Sequence, residues 1–429
     1  MSILLTGGNV YRDCVFKRLD IAVRGNSIVD LSPNISPVGF DIVLQVNNLF
    51  IIPGLVDVHV HLRQPGFCYK ETIASGTAAA ARGGFTAVCS MPNLNPVPDC
   101  LESLRVQLAA IELDAHCGVF PFGAITRGRS GDGTLSDMEA MAPFVAGFSD
   151  DGCGVQSDVL MEKAMLAAKR QGKPIVAHCE DNSLLTKDWC LNESDFAKSH
   201  KLAAIDSKSE WKQLERDLKL VAKTGCQYHA CHISSRESVE LIRKAKAEGL
   251  PVTCETAPHY LVFCSDDLCD DGRFKMNPPL RFAADRQALL CGIADGTIDV
   301  IATDHAPHSD FEKSCGLADS AFGVVGLETA FVSMYTELVR KNIISLETLI
   351  DKMSLAPRRI FGLRGGNLKE GESADITVLD LNCNGTISSG SFLSKGHSTP
   401  FDNMEICADI AYTICEGRIT WDKSLQKSL

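Results

Sequence analysis

From residue 51 onward the chain alternates short apolar runs with amphipathic stretches, and this rhythm constrains the fold more than any other feature. An opening apolar run, 54–63, leads to an Ala-rich helical stretch at 71–81 that ends in Gly83-Gly84. Further apolar runs follow at 85–91, 117–122, 144–148, 174–177, 227–233, 252–256 and 300–303. Helical patterns fall between most of them, at 101–113, 158–170, 209–223, 238–248 and 285–294. Strands separated by helices must run parallel, because the chain returns to the same edge each time. Eight such repeats predict a (β/α)8 TIM-like barrel. An open doubly wound sheet is the alternative, but no Gly-x-Gly-x-x-Gly follows the first strand.

The opening run, GLVDVHVHLR, carries two histidines one residue apart. In a strand that spacing puts His59 and His61 on one face, where two neutral imidazoles suit a divalent metal such as zinc. Arg63 follows two residues later, and a guanidinium there can hold a carboxylate. The other strands end in the same way. Met91-Pro92-Asn93, Asp150-Asp151, His178-Cys179-Glu180, His232 and Asp304-His305 all stand at predicted strand C-termini, the rim on which barrel enzymes build their sites. His59, His61, Asp151, His178, His232 and Asp304 form a candidate ligand set. One zinc needs three or four ligands. Six, with a carboxylate placed to bridge, fit two metals about 3.5–4 Å apart. One metal with spare hydrogen-bonding residues remains the alternative. His229, His259 and His305 read as supporting residues.

The flanks differ in character. Residues 1–52 show short strands at 3–5, 21–23, 28–31 and 42–46, and β signals return at 376–379, 406–414 and 419–421. The prediction is one small β domain formed by both chain ends, 1–52 with 363–429, around a barrel of 53–362. Residues 309–326 read as a long loop able to cover the site. The net charge of −12 argues against nucleic acid. No apolar run is long enough to span a membrane, and the N-terminus has no basic, signal-like start. Eighteen cysteines without a Cys-x-x-Cys pair read as reduced thiols of a cytoplasmic protein.

GLVDVHVHLR (54–63), MPN (91–93), FSDDG (148–152), AHCED (177–181), CHIS (231–234), KMNPPLR (275–281), TDHAPH (303–308) and GESADITVLDL (371–381) together resemble the amidohydrolase superfamily, and more closely its dihydroorotase family. FSDDG is similar to the bacterial type, in which an aspartate bridges the metals in place of a carboxylated lysine. Gln64 and Leu94 depart from the family pattern.

The resemblance implies a zinc-dependent cyclic amidohydrolase that interconverts N-carbamoyl-L-aspartate and L-dihydroorotate in pyrimidine biosynthesis. It implies two Zn2+ bridged by Asp151 and Asp304 as the acid–base group. Arg63, Asn93 and His308 match the positions that bind the substrate carboxylate, and Asn277 and Gly323 those near the ring. It leaves open a homodimer and an association with aspartate carbamoyltransferase. The alternatives are another cyclic amidase, such as an allantoinase or dihydropyrimidinase, and a non-catalytic scaffold.

Overall fold

The computed structural model describes residues 1–186 and 189–428. It is a mixed α/β structure. Leu55–Val60 pairs in parallel with Phe85–Ser90, which pairs in parallel with Gly118–Pro121. Single parallel bridges carry the pairing from Gly123 to Phe148 and from Phe148 to Ile175. Ile175–Ala177, Tyr228–Ala230, Val252–Thr256 and Val300–Ile301 form a second parallel ladder. A last parallel bridge joins His305 to Val60. Every residue of Leu55–Val60 and Phe85–Ser90 is buried, as parallel strands covered on both faces must be.

Several of the helices that cover these strands do so with an apolar stripe. In Lys208–Thr224 the buried Leu214, Leu218 and Val221 recur at helical spacing. Ile73–Arg82 starts at Thr72, whose hydroxyl accepts from the Ser75 N–H while the Ser75 hydroxyl accepts from the Thr72 N–H.

Both chain ends share one sheet. Its order is Arg418–Asp422, Asp409–Cys415, Ile376–Asp380, Phe50–Pro53, Ser2–Arg12, Val15–Arg24 and Ser27–Ser32, with Ile42–Gln45 added beside Ser2–Arg12. The two ends meet where Phe50–Pro53 runs antiparallel to Ile376–Asp380. Ile3, Leu5, Val10, Ile21, Ile51, Ile376, Val378 and Ile414 bury each other there. Phe50–Pro53 passes through Gly54 directly into Leu55–Val60. A Cβ at Gly54 would meet the Thr86 hydroxyl at 2.1 Å, so only glycine lets the junction lie this close to the next strand.

Three sequence expectations need correction, and one insertion went unread. The strand expected at 144–148 reduces to bridges at Phe148, and Ala142–Phe144 is a 3-10 turn. Residues 309–326 are not plain loop but hold two short helices, Asp310–Lys313 and Gly316–Asp319, started by the Ser309 and Cys315 positions. The 406–414 strand is split, since Glu405–Ile406 pairs with Gly385–Thr386 in a separate ladder. An insertion after His178, with Trp189–Leu191 paired to Ala203–Ala204 and a helix at Asp195–His200, had no sequence signal strong enough to be read.

Buried carboxylates brace the rim segments. Glu210 accepts from the N–H groups of Ser234 and Ser235 at 3.1 and 3.2 Å, and from the hydroxyls of Ser235 at 2.9 Å and Ser238 at 2.5 Å. It also accepts from the Ser234 hydroxyl. Removing it strands several buried donors at about 1–3 kcal/mol each. We predict that Glu210→Ala lowers stability by about 3 kcal/mol or more, read as urea or thermal midpoint. A midpoint equal to that of the unmodified chain would contradict this bracing role.

Candidate metal centre and substrate pocket

The six predicted ligands converge. His59 is the last residue but one of Leu55–Val60 and His61 lies just past it; His178 directly follows Ile175–Ala177, and His232 stands two residues beyond Tyr228–Ala230. Asp151 follows the Phe148 bridge, and Asp304 follows Val300–Ile301. All six are buried. Arg63, His232 and Asp304 adopt left-handed backbone, with φ of 60°, 30° and 49°. Such conformations cost a non-glycine residue about 1–3 kcal/mol and gather at functional sites.

Asp151 sits at the middle. Its Oδ1 lies 3.3 Å from His59 Nε2, 3.6 Å from His178 Nδ1 and 3.5 Å from His232 Nε2. Its Oδ2 lies 3.6 Å from His61 Nε2. Asp304 Oδ1 is 3.0 Å from His61 Nε2 and 3.5 Å from His59 Nε2. Two donors each about 2.1 Å from one tetrahedral zinc stand about 3.4 Å apart, so these separations are those of shared ligation. Two ligand groups share Asp151: His59 with His61, and His178 with His232.

The protonation pattern also calls for a cation. His59 Nδ1 lies 2.6 Å from Glu255 Oε1, which can only accept, so Nδ1 carries the proton and Nε2 presents a lone pair to Asp151. His59 Nε2 and Asp151 Oδ1 are both buried without a hydrogen-bond partner. Two lone pairs facing each other in a dry site need a positive charge between them. Without one, the carboxylates draw protons instead. Burial opposes charge on His59, yet Asp151, Glu255 and Asp304 hold it well above the usual imidazole range. Burial likewise opposes charge on Asp151, but the histidines hold it well below the usual carboxylate range. The residues therefore fit a divalent metal. Cys231 is close to His59 and Glu255, and burial pushes its thiol up.

Beside the cluster is a cleft of about 240 Å³ lined by Arg63, Asn93, Asn277, His308 and Gly323, with Trp189 and Phe322. Arg63 Nε donates to the Pro307 carbonyl at 3.2 Å, which fixes its guanidinium at the cleft. Burial brings Arg63 down to about 10, against the pull of Asp304 and Asp151, so it stays charged at neutral pH. The ammonium of Lys70 lies 3.1 Å from His308 Nδ1 and can only donate. His308 Nε2 therefore bears the proton and donates to the Phe322 carbonyl at 2.8 Å. Burial and the charges of Arg63, Lys70 and Lys313 push His308 down to about 3, leaving it a neutral donor. Asn93 Oδ1 receives His61 Nδ1 at 2.8 Å, and Asn277 Nδ2 donates to Glu180 Oε2 at 2.7 Å. Trp189 packs on Phe322 with ring centroids 4.7 Å apart.

The supporting histidines His229 and His305 were legible from sequence, but the carboxylates they and the ligands lean on were not. Glu255 bonds His59 through one oxygen and His229 Nε2 at 3.1 Å through the other, and His229 in turn reaches the Thr253 hydroxyl at 2.8 Å. Asp57 accepts from the N–H groups of His59 and Thr303, tying the first segment of the rim to the last. Asp150 accepts from Ile125 and Thr126 and does not face the cluster. The available signal was a lone carboxylate in an apolar strand, as in VTCET and GLVDV. His305 serves Glu71 and the Gly326 N–H. Gln64, a departure from the family pattern, accepts from the Ile73 N–H at 2.9 Å at the start of a helix. Carboxylates that orient a ligand imidazole typically contribute about 10–100-fold to metal affinity. Glu255→Gln should lose affinity on that scale in a chelator competition, and undiminished zinc retention would contradict the role given to Glu255.

Comparison with known proteins agrees with this geometry. Residues 48–238 match the Dihydro-orotase-like family. The chain is 46% identical over 420 residues to the dihydroorotase of Fusobacterium nucleatum subsp. nucleatum, covering 98% of each chain. It is 47% identical over 406 residues to the dihydroorotase of Bacillus cereus, covering 94% of each. Among solved structures, L-hydantoinase (dihydropyrimidinase) from Arthrobacter aurescens superposes with a TM-score of 0.87 at 24% identity, covering 98% of this chain and 96% of that one. Dihydropyrimidinase from Brevibacillus agri gives 0.83 at 20% identity, with 98% and 95% covered. The structural likenesses speak for the fold. Near-full-length identity close to one residue in two, with every residue of the expected centre converging on one buried point, speaks for the family: the chain belongs to the dihydroorotases.

Proposed function

We propose that this chain catalyses the reversible cyclisation of N-carbamoyl-L-aspartate to L-dihydroorotate, with Zn2+ held by His59, His61, Asp151, His178, His232 and Asp304. The observation that carries the reading is a single cleft that joins a metal-ready cluster to a fixed guanidinium. The near-full-length relatives named dihydroorotase support it. We read the eight parallel segments as a closed (β/α)8 barrel, supported by the bridge from His305 back to Val60. We take the domains as 1–52 with 363–429, and 53–362. Asp151 is read as the bridge of a two-metal centre. The cysteines are all unpaired, which favours a reducing, cytoplasmic setting.

Zinc bound there would acidify a water and polarise the ring amide carbonyl. The chain supplies the rest. Asp304, at the open side of the cluster, takes the proton from the attacking water and passes it to the leaving ring nitrogen. Burial raises the cost of its charge, but His59 and His61 hold it below the usual carboxylate range. Arg63 and the free amide N–H of Asn93 hold the ring carboxylate and Asn277 orients the ring, while His308 and Gly323, whose own polar groups are spent on Phe322, Lys70, Lys275 and Lys313, shape the wall beside it. Allantoinase or dihydropyrimidinase chemistry, on rings without that carboxylate, would leave Arg63 with no anion to bind. A non-catalytic scaffold would leave six converging ligands with no task.

Turnover should be found with dihydroorotate and zinc, and be far slower with dihydrouracil or allantoin; equal turnover of dihydrouracil would contradict the substrate assignment. Arg63→Ala should weaken dihydroorotate by roughly 2–5 kcal/mol with little change in zinc content. Kinetic constants like those of the unmodified enzyme would remove Arg63 from the carboxylate site. Asp304→Asn should lower hydrolysis by about 10²–10⁴-fold, and near-full activity would require another base. Ring closure converts a dianion to a monoanion and consumes one proton. Each unit fall in pH near neutrality should therefore raise the equilibrium ratio of dihydroorotate to carbamoyl aspartate about tenfold. A ratio independent of pH would exclude this reaction.

A further inference from the structure

We propose that Lys313 is a positioning residue of the substrate pocket: its ammonium ties together the two segments, around Lys275–Asn277 and Ala321–Gly323, that face the substrate. The proposal rests on the dihydroorotate reading and adds to it a residue outside the cleft lining.

Lys313 is the last residue of the short Asp310–Lys313 helix and is buried. Its Nζ donates to three backbone carbonyls, Lys275 at 3.1 Å, Ala321 at 2.7 Å and Gly323 at 2.6 Å. The acidic side chains in its surroundings are engaged elsewhere, Glu312 with Lys70 at 2.7 Å and Asp271 with Arg273 at 3.4 Å. Among the described residues Lys313 therefore has three carbonyls and no ion-pair partner. A buried lysine is uncommon, and three acceptors use all its donors. The same Lys275 carbonyl also receives the Gly323 N–H at 3.0 Å, so the two segments meet at one oxygen.

The consequence concerns the direction of carbonyl dipoles. The Phe322 carbonyl is taken by His308, and the Ala318 carbonyl by the ammonium of Lys275, which also lies 4.6 Å over the Phe322 ring. With Lys313 on Ala321 and Gly323, every carbonyl from 321 to 323 has a donor. None is left to turn its lone pairs toward a carboxylate bound at Arg63. Gly323 tolerates no side chain at this junction. Its φ is +134°, and a Cβ there would meet the Ala306 carbonyl at 2.6 Å. Loss of the ammonium would free two carbonyl oxygens beside the anion site and loosen the roof formed by Phe322 and Trp189.

Protonation matters because only the ammonium has three donors; the neutral amine has two. Burial, and next the charge of Lys275, brings Lys313 down to about 7, against the pull of Asp271 and Glu312. Arg63, Lys70 and His308 are the other titratable groups of this corner. The charged form is present below that pH and lost above it, so affinity for dihydroorotate should fall as pH rises from about 6 to 8.5.

The experiment compares the zinc-loaded enzyme with Lys313→Met and Lys313→Gln, using dihydroorotate hydrolysis across that pH range. The Met variant should raise KM about tenfold at pH 6 while kcat stays within about threefold, with unchanged zinc content. The Gln variant, which keeps part of the donor set, should fall between. The rise of KM with pH should flatten in the Met variant. An unmoved KM, or kcat and zinc falling together with thermal stability, would overturn the positioning role. Failure of both variants to fold would also overturn it, by making the lysine a folding residue. Failure of the unmodified enzyme to hydrolyse dihydroorotate would instead sink the functional reading beneath it.

Discussion

The structure depends on one electrostatic arrangement: lone pairs of four histidines and two aspartates brought to a single buried point. His59 Nε2 and Asp151 Oδ1 face each other with no proton donor between them. Leaving such atoms unpaired in a dry interior costs several kcal/mol. A divalent cation removes that cost, and the strained backbones of Arg63, His232 and Asp304 can be tolerated because the parallel strands beneath hold them. Folding energy from the strands and helices thus stabilises a cluster that would not assemble by itself.

Charge is distributed asymmetrically around this cluster. The chain is acidic overall, yet one wall of the cleft gathers Arg63, with Lys70, Lys275 and Lys313 behind it. On the proposed reading, the metal side would attract a carbonyl oxygen and the cationic wall a carboxylate. A small ring bearing both groups would be held in one orientation by these two poles. The structural neighbours named hydantoinase and dihydropyrimidinase share the fold at about a quarter identity or less. They show that fold alone does not select the substrate, and the cationic wall is the feature of this chain that can.

Much of this was legible in the sequence for a physical reason. Ligands at strand ends stand beside long apolar runs, so Val56, Val58 and Val60 announce His59 and His61. Helices with clear stripes, such as Asp158–Arg170, were read to the residue. The pairing of both chain ends followed from two weak β regions that each lacked a partner. What escaped was set by contacts distant in sequence. Glu255 meets His59 across 196 positions, so the local sequence shows a lone carboxylate in a strand but not the partner it serves. The Trp189 insertion is too short for a period to emerge. The Phe148 strand survives only as bridges, because its hydrogen bonds are shared between two neighbours over very few residues.

The central claim is that Asp151 is the shared carboxylate of a two-metal centre. Anomalous diffraction at the zinc edge, from crystals of protein reconstituted with zinc in bicarbonate-free buffer, tests it most directly. The account predicts two peaks about 3.5–4 Å apart with the Asp151 carboxylate between them, His59 and His61 on one and His178 and His232 on the other. A single peak, or density for a carboxylated lysine spanning the two ions, would contradict it.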